Sequence, residues 1–316
     1  MEIRRQAVWP PGRLAAACIA GVRGMVINMN NKRILITGGA KGIGAETARM
    51  FARNGAEIIY LVDIDEENGI KTAGELSEYC KCVFRRMDVT DEIGVAELFR
   101  EIAAGGGNHP GASDASNDDR RSSMEGYGDR NPPGAAVTFN DNRRPSIEGN
   151  GGGLDVLFNC AGITSVKGLF DTDMALWNRI MAINVTSVFL FSKEALRLMC
   201  AQNYGRIINV SSVSAHVGGI RTSPAYAASK AAILGLTRSF AKYGAKYNVT
   251  VNAVAPGIVD TDMTRDPAFV YSNDEVPLGG AASPADIART VLFLAGEGGG
   301  HITGQCINVN GGMYYN

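Results

Sequence analysis

The chain is expected to fold as a single α/β domain, a doubly wound parallel sheet, and three observations predict it. Short apolar runs of strand length alternate with amphipathic helical stretches from residue 32 to the C-terminus, the order in which a parallel sheet is threaded. The first run passes directly into Thr37-Gly38-Gly39-Ala40-Lys41-Gly42-Ile43-Gly44, a glycine-rich turn from strand to helix. With 316 residues, 45% apolar and 20% charged, the chain can bury a core that one such domain accounts for.

Residues 1–28 read as an N-terminal extension outside this domain, either disordered or preceding the true start at Met25 or Met29. Its apolar run, Leu14 to Val22, is too short to span a bilayer. Its arginines resemble those of a transit peptide, which would make the protein mitochondrial rather than cytoplasmic. The domain itself is placed at 29–316. Lys32 to Thr37 forms the first strand, and Ala45 to Asn54 has helical composition, ended by Gly55. In the turn between them, Gly38 permits the bend, Gly42 lets backbone approach a pyrophosphate, and Gly44 lets helix pack closely on strand; the helix N-terminus favours the phosphate charge. The next strand, Glu57 to Val62, ends at Asp63, 19 residues after Gly44, where an acid can accept from both ribose hydroxyls of an adenosine. Asp65 reads as the N-cap of a helix starting at Glu66.

Cys82 to Met87 is a third strand, leading to Asp88-Val89-Thr90 and a helix over Asp91 to Ala103. The pattern then breaks. Residues 105–153 hold eleven glycines, four prolines and few large apolar residues, too few to offset the entropy of ordering, so they read as a disordered insertion in the domain. A loop that folds on a partner is the competing reading. Leu154 to Phe158 resumes the sheet and ends in Asn159-Cys160-Ala161-Gly162. A long helix over Met174 to Met199 carries Asn184 in its middle, where propensity gives an amide no reason to be. Arg206 to Val210 is a strand followed by Ser211-Ser212. Pro224 opens the helix bearing Tyr226 and Lys230. Val249 to Ala255 is a strand leading to Pro256-Gly257-Ile258-Val259-Asp260-Thr261. Residues 262–282 form a loop with a short helix, Ala285 to Ala295 a helix, and Cys306 to Val309 the last strand.

Tyr226 and Lys230, four apart on a helix, share one face about 40° apart and roughly 6 Å along the axis. An ammonium about 4–5 Å from the phenol, at an effective dielectric near 20, supplies roughly 3–4 kcal/mol in favour of phenolate, about two to three pKa units. Tyr226 is therefore expected to titrate near neutrality and to exchange a proton with a substrate oxygen. Other chemistries find less support. The net charge of −1 and scattered Lys and Arg argue against a nucleic-acid partner. The six cysteines form no CxxC, as expected in a reducing compartment. The three histidines have no neighbours at ligand spacing, so no catalytic metal is expected.

Taken together, these residues resemble the short-chain dehydrogenase/reductase family. Its TGxxxGxG is matched by Thr37 to Gly44, its NNAG by Asn159-Cys160-Ala161-Gly162, its helix asparagine by Asn184, its YxxxK by Tyr226 and Lys230, and its PG by Pro256-Gly257. Residues 262–265, 278–280 and 309–314 are in the style of 3-oxoacyl-acyl carrier protein reductases. The resemblance implies a Rossmann fold and hydride transfer between a secondary alcohol or ketone and a nicotinamide. In that scheme Tyr226 is the general acid/base, Lys230 lowers its pKa and holds the nicotinamide ribose, and Ser212 bonds the substrate oxygen, with Ser211 and Ser214 as substitutes. Asn184 would hold a water leading to Lys230. The cofactor would be held by Gly38, Lys41, Gly42, Ile43, Gly44, Asp63, Asp88, Val89, Asn159, Ala161, Gly162, Tyr226, Lys230, Pro256, Gly257, Val259 and Thr261. The resemblance also implies a cytoplasmic homotetramer or homodimer acting on a small alcohol or ketone, with no membrane partner.

Two features pull cofactor choice in opposite directions. Lys41 stands where relatives using NADP often place a basic residue. Asp63 favours NAD, because a 2′-phosphate facing a carboxylate at about 4 Å would cost about 4 kcal/mol at an effective dielectric near 20. NAD is the expected cofactor and NADP the alternative. A 3-oxoacyl-acyl carrier protein reductase using NADPH is the second functional reading. A silent dinucleotide-binding scaffold is a remote third, which the intact Ser, Tyr, Lys and Asn set disfavours.

Overall fold

The computed structural model describes residues 27–105, 152–219 and 222–316. Almost all of the N-terminal extension and of the 105–153 insertion expected from the sequence lie outside the described residues.

Seven parallel strands form one sheet in the order β3-β2-β1-β4-β5-β6-β7. They are β1 (Arg33–Thr37), β2 (Ile58–Asp63), β3 (Lys81–Arg86), β4 (Val156–Asn159), β5 (Gly205–Val210), β6 (Val249–Pro256) and β7 (Cys306–Val309). The winding direction reverses between β1 and β4, which opens a crevice beyond the strand ends where ligands bind in such sheets. Register brings the ends level: Thr37 pairs with both Val62 and Asn159, and Asn159 with Asn209.

Both sheet faces are covered, which explains why the strands read as continuous apolar runs; β5 and β6 are buried at every position. The helices are α1 (Gly42–Arg53), α2 (Glu66–Leu76), α3 (Glu92–Ala103), α4 (Met174–Met181), α5 (Ser187–Gln202), α6 (Ser214–Val217), α7 (Pro224–Gly244), α8 (Asp262–Arg265) and α9 (Pro284–Ala295). One core joins Ile36 and Phe158 to Ala48 and Phe51 of α1 and Ile287 and Val291 of α9. The other joins Leu35 and Leu157 to Phe99 of α3 and Phe191 and Met199 of α5, with Phe99 and Phe191 edge to face at 6.0 Å. Asp65, Asp91, Asp173 and Ser223 cap α2, α3, α4 and α7 by accepting from the third helical N–H.

The helix expected over Met174 to Met199 is not continuous. Between α4 and α5 the chain makes a π-helical turn, Ala182–Thr186, with the fully buried Asn184 at its centre. Such bulges are frequent at functional sites, and here the bulge turns an amide inward from a helix that would otherwise carry it past.

Residues 106–151, between α3 and β4, lie outside the described residues, but the chain resumes beside the point where it leaves off. Gly105 and Gly152 lie side by side: a Cβ built on Gly152 would sit 2.8 Å from the Gly105 nitrogen. This junction is at the N-terminal ends of the strands, opposite the crevice, since Asp155 donates its N–H to Arg33 at the start of β1.

Candidate active site

The crevice is a cavity of about 1460 Å³ running along the C-terminal ends of the strands. Gly38, Lys41, Gly42, Ile43, Asp63, Asp88, Val89, Ala161, Gly162, Ser212, Tyr226, Lys230, Pro256, Gly257, Val259 and Thr261 all line it. Gly44, Asn159 and Asn184 do not.

The glycine turn is shaped by contact as much as by dihedral. Gly38 has φ +68°, and a Cβ there would meet the Ala161 backbone at 2.8 Å. A Cβ on Gly44 would lie 2.0 Å from the Gly38 carbonyl oxygen, so the glycine lets α1 start directly on the turn. Gly42, at φ +58°, faces open space, with only Thr261 nearby at 3.5 Å. Lys41 stands at the N-cap of α1 without providing a side-chain cap, unlike Asp65, Asp91, Asp173 or Ser223. Of the first-turn N–H groups of α1, that of Gly44 is turned to the Cys160 thiol, while those of Gly42 and Ile43 have no side-chain cap and lie at the cavity wall, an arrangement that fits a pyrophosphate. Asp63 closes β2 as expected, and its carboxylate accepts from the N–H groups of Ala40 at 3.0 Å and Asp65 at 3.1 Å. Each oxygen keeps a lone pair for a ribose hydroxyl.

The second wall is built from the loops after β4 and β5 and from α7. Thr37, not singled out in the sequence, pins the β4 loop by accepting from the N–H groups of Cys160 and Ala161 at 3.1 and 3.2 Å. Asn159 was expected to hold the cofactor, but its side chain turns into the protein and donates to Ser192 and Asn209, which in turn donates to Thr237. It is 3% exposed, so its amide ties β4, β5, α5 and α7 together instead. Asn184 accepts from Ile163 N–H at 2.8 Å and donates to Ile163 C=O and Ser229. The side chain expected to hold a water is thus a brace for the β4 loop, with only the second lone pair of Oδ1 left over.

Ser211 donates its hydroxyl to the Lys230 carbonyl at 2.8 Å and is buried within the fold. Ser212 is the serine hydrogen-bonded to the Tyr226 hydroxyl, and the Ser214 N–H donates to its Oγ at 3.1 Å. Ser212, 14 residues before Tyr226, is thus the serine whose hydroxyl meets the phenol. Lys230 Nζ donates to the Val210 carbonyl at 2.9 Å and lies 5.7 Å from the Tyr226 ring centre. Gly162 leaves the room it needs: a Cβ there would be 3.4 Å from Nζ.

The expected depression of the phenol pKa is absent. Burial raises Tyr226 above the ordinary tyrosine value, with the Ser212 hydrogen bond opposing it. Burial also lowers Lys230 to about 8. Both groups lose water in the same pocket, and the ammonium directs a proton at Val210 rather than at the phenol, so desolvation outweighs attraction.

Comparison with known proteins agrees with this geometry. A family model described as short chain dehydrogenase matches residues 32–108, and one described as enoyl-(acyl carrier protein) reductase matches residues 144–314. The chain is 34% identical over 292 residues to 3-oxoacyl-(acyl-carrier-protein) reductase FabG of Vibrio harveyi, covering 91% of this chain and 99% of that one. It is 34% identical over 287 residues to cis-4-hydroxycyclohexanecarboxylate dehydrogenase of Sinomonas cyclohexanicum, covering 88% and 94%. A solved short-chain type dehydrogenase/reductase from Mycobacterium marinum superposes with a TM-score of 0.74 at 26% identity, covering 92% of this chain and 98% of that one. The chain belongs to the short-chain dehydrogenase/reductase family and is an oxidoreductase acting on CH–OH groups of small molecules with a nicotinamide dinucleotide.

Proposed function

We propose that this enzyme interconverts a secondary alcohol and a ketone with NAD, using Tyr226 as the proton donor and acceptor. The observation that carries this reading is the Ser212–Tyr226 hydroxyl pair on the cavity wall, with Lys230 buried beside it. When bound, the nicotinamide supplies or accepts the hydride. Ser212 and Tyr226 hold the substrate oxygen between two hydroxyls, and Tyr226 gives it a proton as a ketone is reduced or takes one as an alcohol is oxidised. Lys230, held by Val210, is set to hold the nicotinamide ribose. Thr37, Asn159 and Asn184 keep the β4 loop and α7 in register behind these groups.

The dinucleotide is best accommodated with its phosphates over Gly42 and Ile43 and its adenosine ribose at Asp63. That carboxylate supports NAD over NADP: at about 4 Å and an effective dielectric near 20 it would oppose a 2′-phosphate by about 4 kcal/mol. A 3-oxoacyl-acyl carrier protein reductase using NADPH is the second reading, favoured by the Vibrio harveyi relative. A panel of secondary alcohols and 3-oxoacyl thioesters, run with both cofactors, separates them. We expect NAD to be preferred at least about tenfold in kcat/KM. Equal or better use of NADPH would refute the NAD reading and put the acyl carrier protein reductase first.

We place the protein in the cytoplasm, in keeping with the free thiols of Cys80, Cys82, Cys160, Cys200 and Cys306. The rod Met174–Gln202 is long and apolar enough to cross a membrane, but it packs against β4, β5 and α7 and buries Ile180, Phe191 and Met199, as a core helix does. Met174 and Phe189 on the same rod are exposed. That open surface supports assembly as a homodimer or homotetramer. Residues 1–28 and 105–153 we read as additions to a domain that functions without them.

A further inference from the structure

The NAD reading leaves Lys41 unexplained, because a lysine beside the adenosine ribose would ordinarily attract a 2′-phosphate. In the structure it is not available to one. Its Nζ lies 3.2 Å from Asp65 and 3.6 Å from Asp262. The two acids come from opposite sides: Asp65 follows β2 immediately beyond Asp63, and Asp262 opens α8 on the far lip of the crevice. Neighbouring bases are occupied in the same way. Arg49 is held by Glu46 and Glu75, and Arg265 by Asp260 at 2.7 and 3.0 Å. The pairing keeps Lys41 protonated, through Asp65 first, while Asn68 ahead of Lys41 keeps the Asp65 carboxyl below its usual range. The Lys41 ammonium is thus set between two carboxylates.

We propose that Asp65 and Asp262 are specificity-determining residues that hold Lys41 in a two-carboxylate clamp and so withhold it from a 2′-phosphate. The proposal rests on the NAD reading and extends it: Asp63 repels the phosphate directly, and the clamp removes the cation that would otherwise relieve that repulsion. A 2′-phosphate dianion reaching Lys41 must displace two carboxylates already in contact and stand beside them afterwards. Lys41, Asp65 and Asp262 retain 56%, 25% and 67% of their side-chain exposure, so water and salt weaken each pair, and the effect of releasing the clamp is modest, about five- to tenfold.

Binding alone tests this. Adenosine 2′,5′-bisphosphate and 5′-AMP are titrated calorimetrically against wild type, Asp65→Asn, Asp262→Asn, the double variant, and each of these in a Lys41→Ala background. Asparagine is chosen because it caps a helix as well as aspartate, which preserves the start of α2; melting curves confirm the fold. Expected is a shift of the two-ligand affinity ratio toward the bisphosphate by about five- to tenfold in the double variant, shrinking as salt rises and clearly smaller when Lys41 is alanine, where only the direct repulsion of the two carboxylates is relieved. An unchanged ratio, or a shift of equal size without Lys41, overturns the clamp while leaving the NAD reading intact. The NAD reading has its own arm, since it fails if wild type already binds the bisphosphate as tightly as 5′-AMP.

Discussion

At Tyr226 burial and proton transfer pull in opposite directions. A raised phenol pKa keeps the proton on Tyr226 at neutral pH, so the reducing direction finds its acid already loaded. Oxidation needs the phenolate and must wait for higher pH. The sign is definite: kcat/KM for alcohol oxidation should climb above neutrality, by up to about tenfold per pH unit below the phenol pKa, while reduction stays flat over the same range. A pH-independent oxidation rate between pH 6 and 9 would contradict it. Tyr226→Phe keeps ring and helix but deletes the proton; turnover should fall at least about a hundredfold with nearly unchanged cofactor affinity. Turnover within threefold of wild type would remove Tyr226 from the mechanism. Lys230→Met should also weaken dinucleotide binding, measurable by titration, because Nζ lines the site while Val210 fixes it. The YxxxK spacing puts Tyr226 and Lys230 on one helix face, but the choice among Ser211, Ser212 and Ser214 stayed open in the sequence, and only the fold shows that Ser212 bonds the Tyr226 hydroxyl while Ser211 bonds the Lys230 carbonyl. The roles of Asn159 and Asn184 were hidden, because sequence shows that an amide is present and not which backbone it will bond. Thr37 gave no signal beyond its place before Gly38.

Among the elements, strand positions were the most readable, because short apolar runs closed by Gly, Asp, Asn or Ser mark them, most densely in β5 and β6, which are buried at every position. β7 falls at Cys306–Val309 as expected, and β2 ends on Asp63 itself. The π turn was not readable, since Ala182 to Thr186 contains no Gly or Pro and reads as ordinary helix. Gly105 and Gly152 adjoin where a short helix-to-strand connection would run, and this sharpens the expectation for the insertion. Joining these two glycines through one or two residues should preserve turnover and leave stability equal or higher. By loop-closure entropy the gain could reach about 2–3 kcal/mol, each halving of a flexible loop returning about 0.6 kcal/mol. Thermal melts and steady-state kinetics of the excised protein are the check; a soluble, folded but inactive product would favour the loop as a partner-binding device.

For the whole molecule, the helical rod from Met174 to Gln202 is the surface to test. Phe189 on α5 is 42% exposed and leans on Phe240 of α7 at 6.3 Å, with Lys193 beside its ring. If copies of the chain associate there, Phe189→Glu should shift the light-scattering mass toward monomer while the isolated fold still melts cooperatively; an unchanged mass would move the interface elsewhere. One further consequence follows from the parallel sheet. Because every strand points the same way, the protein has a working pole, where the crevice opens, and a returning pole, where Gly105 and Gly152 adjoin. The two are separated by about the length of a strand, roughly 15–20 Å. A change of one or two residues at the returning pole therefore falls a strand's length from the reacting atoms, and natural selection can make it without renegotiating the chemistry.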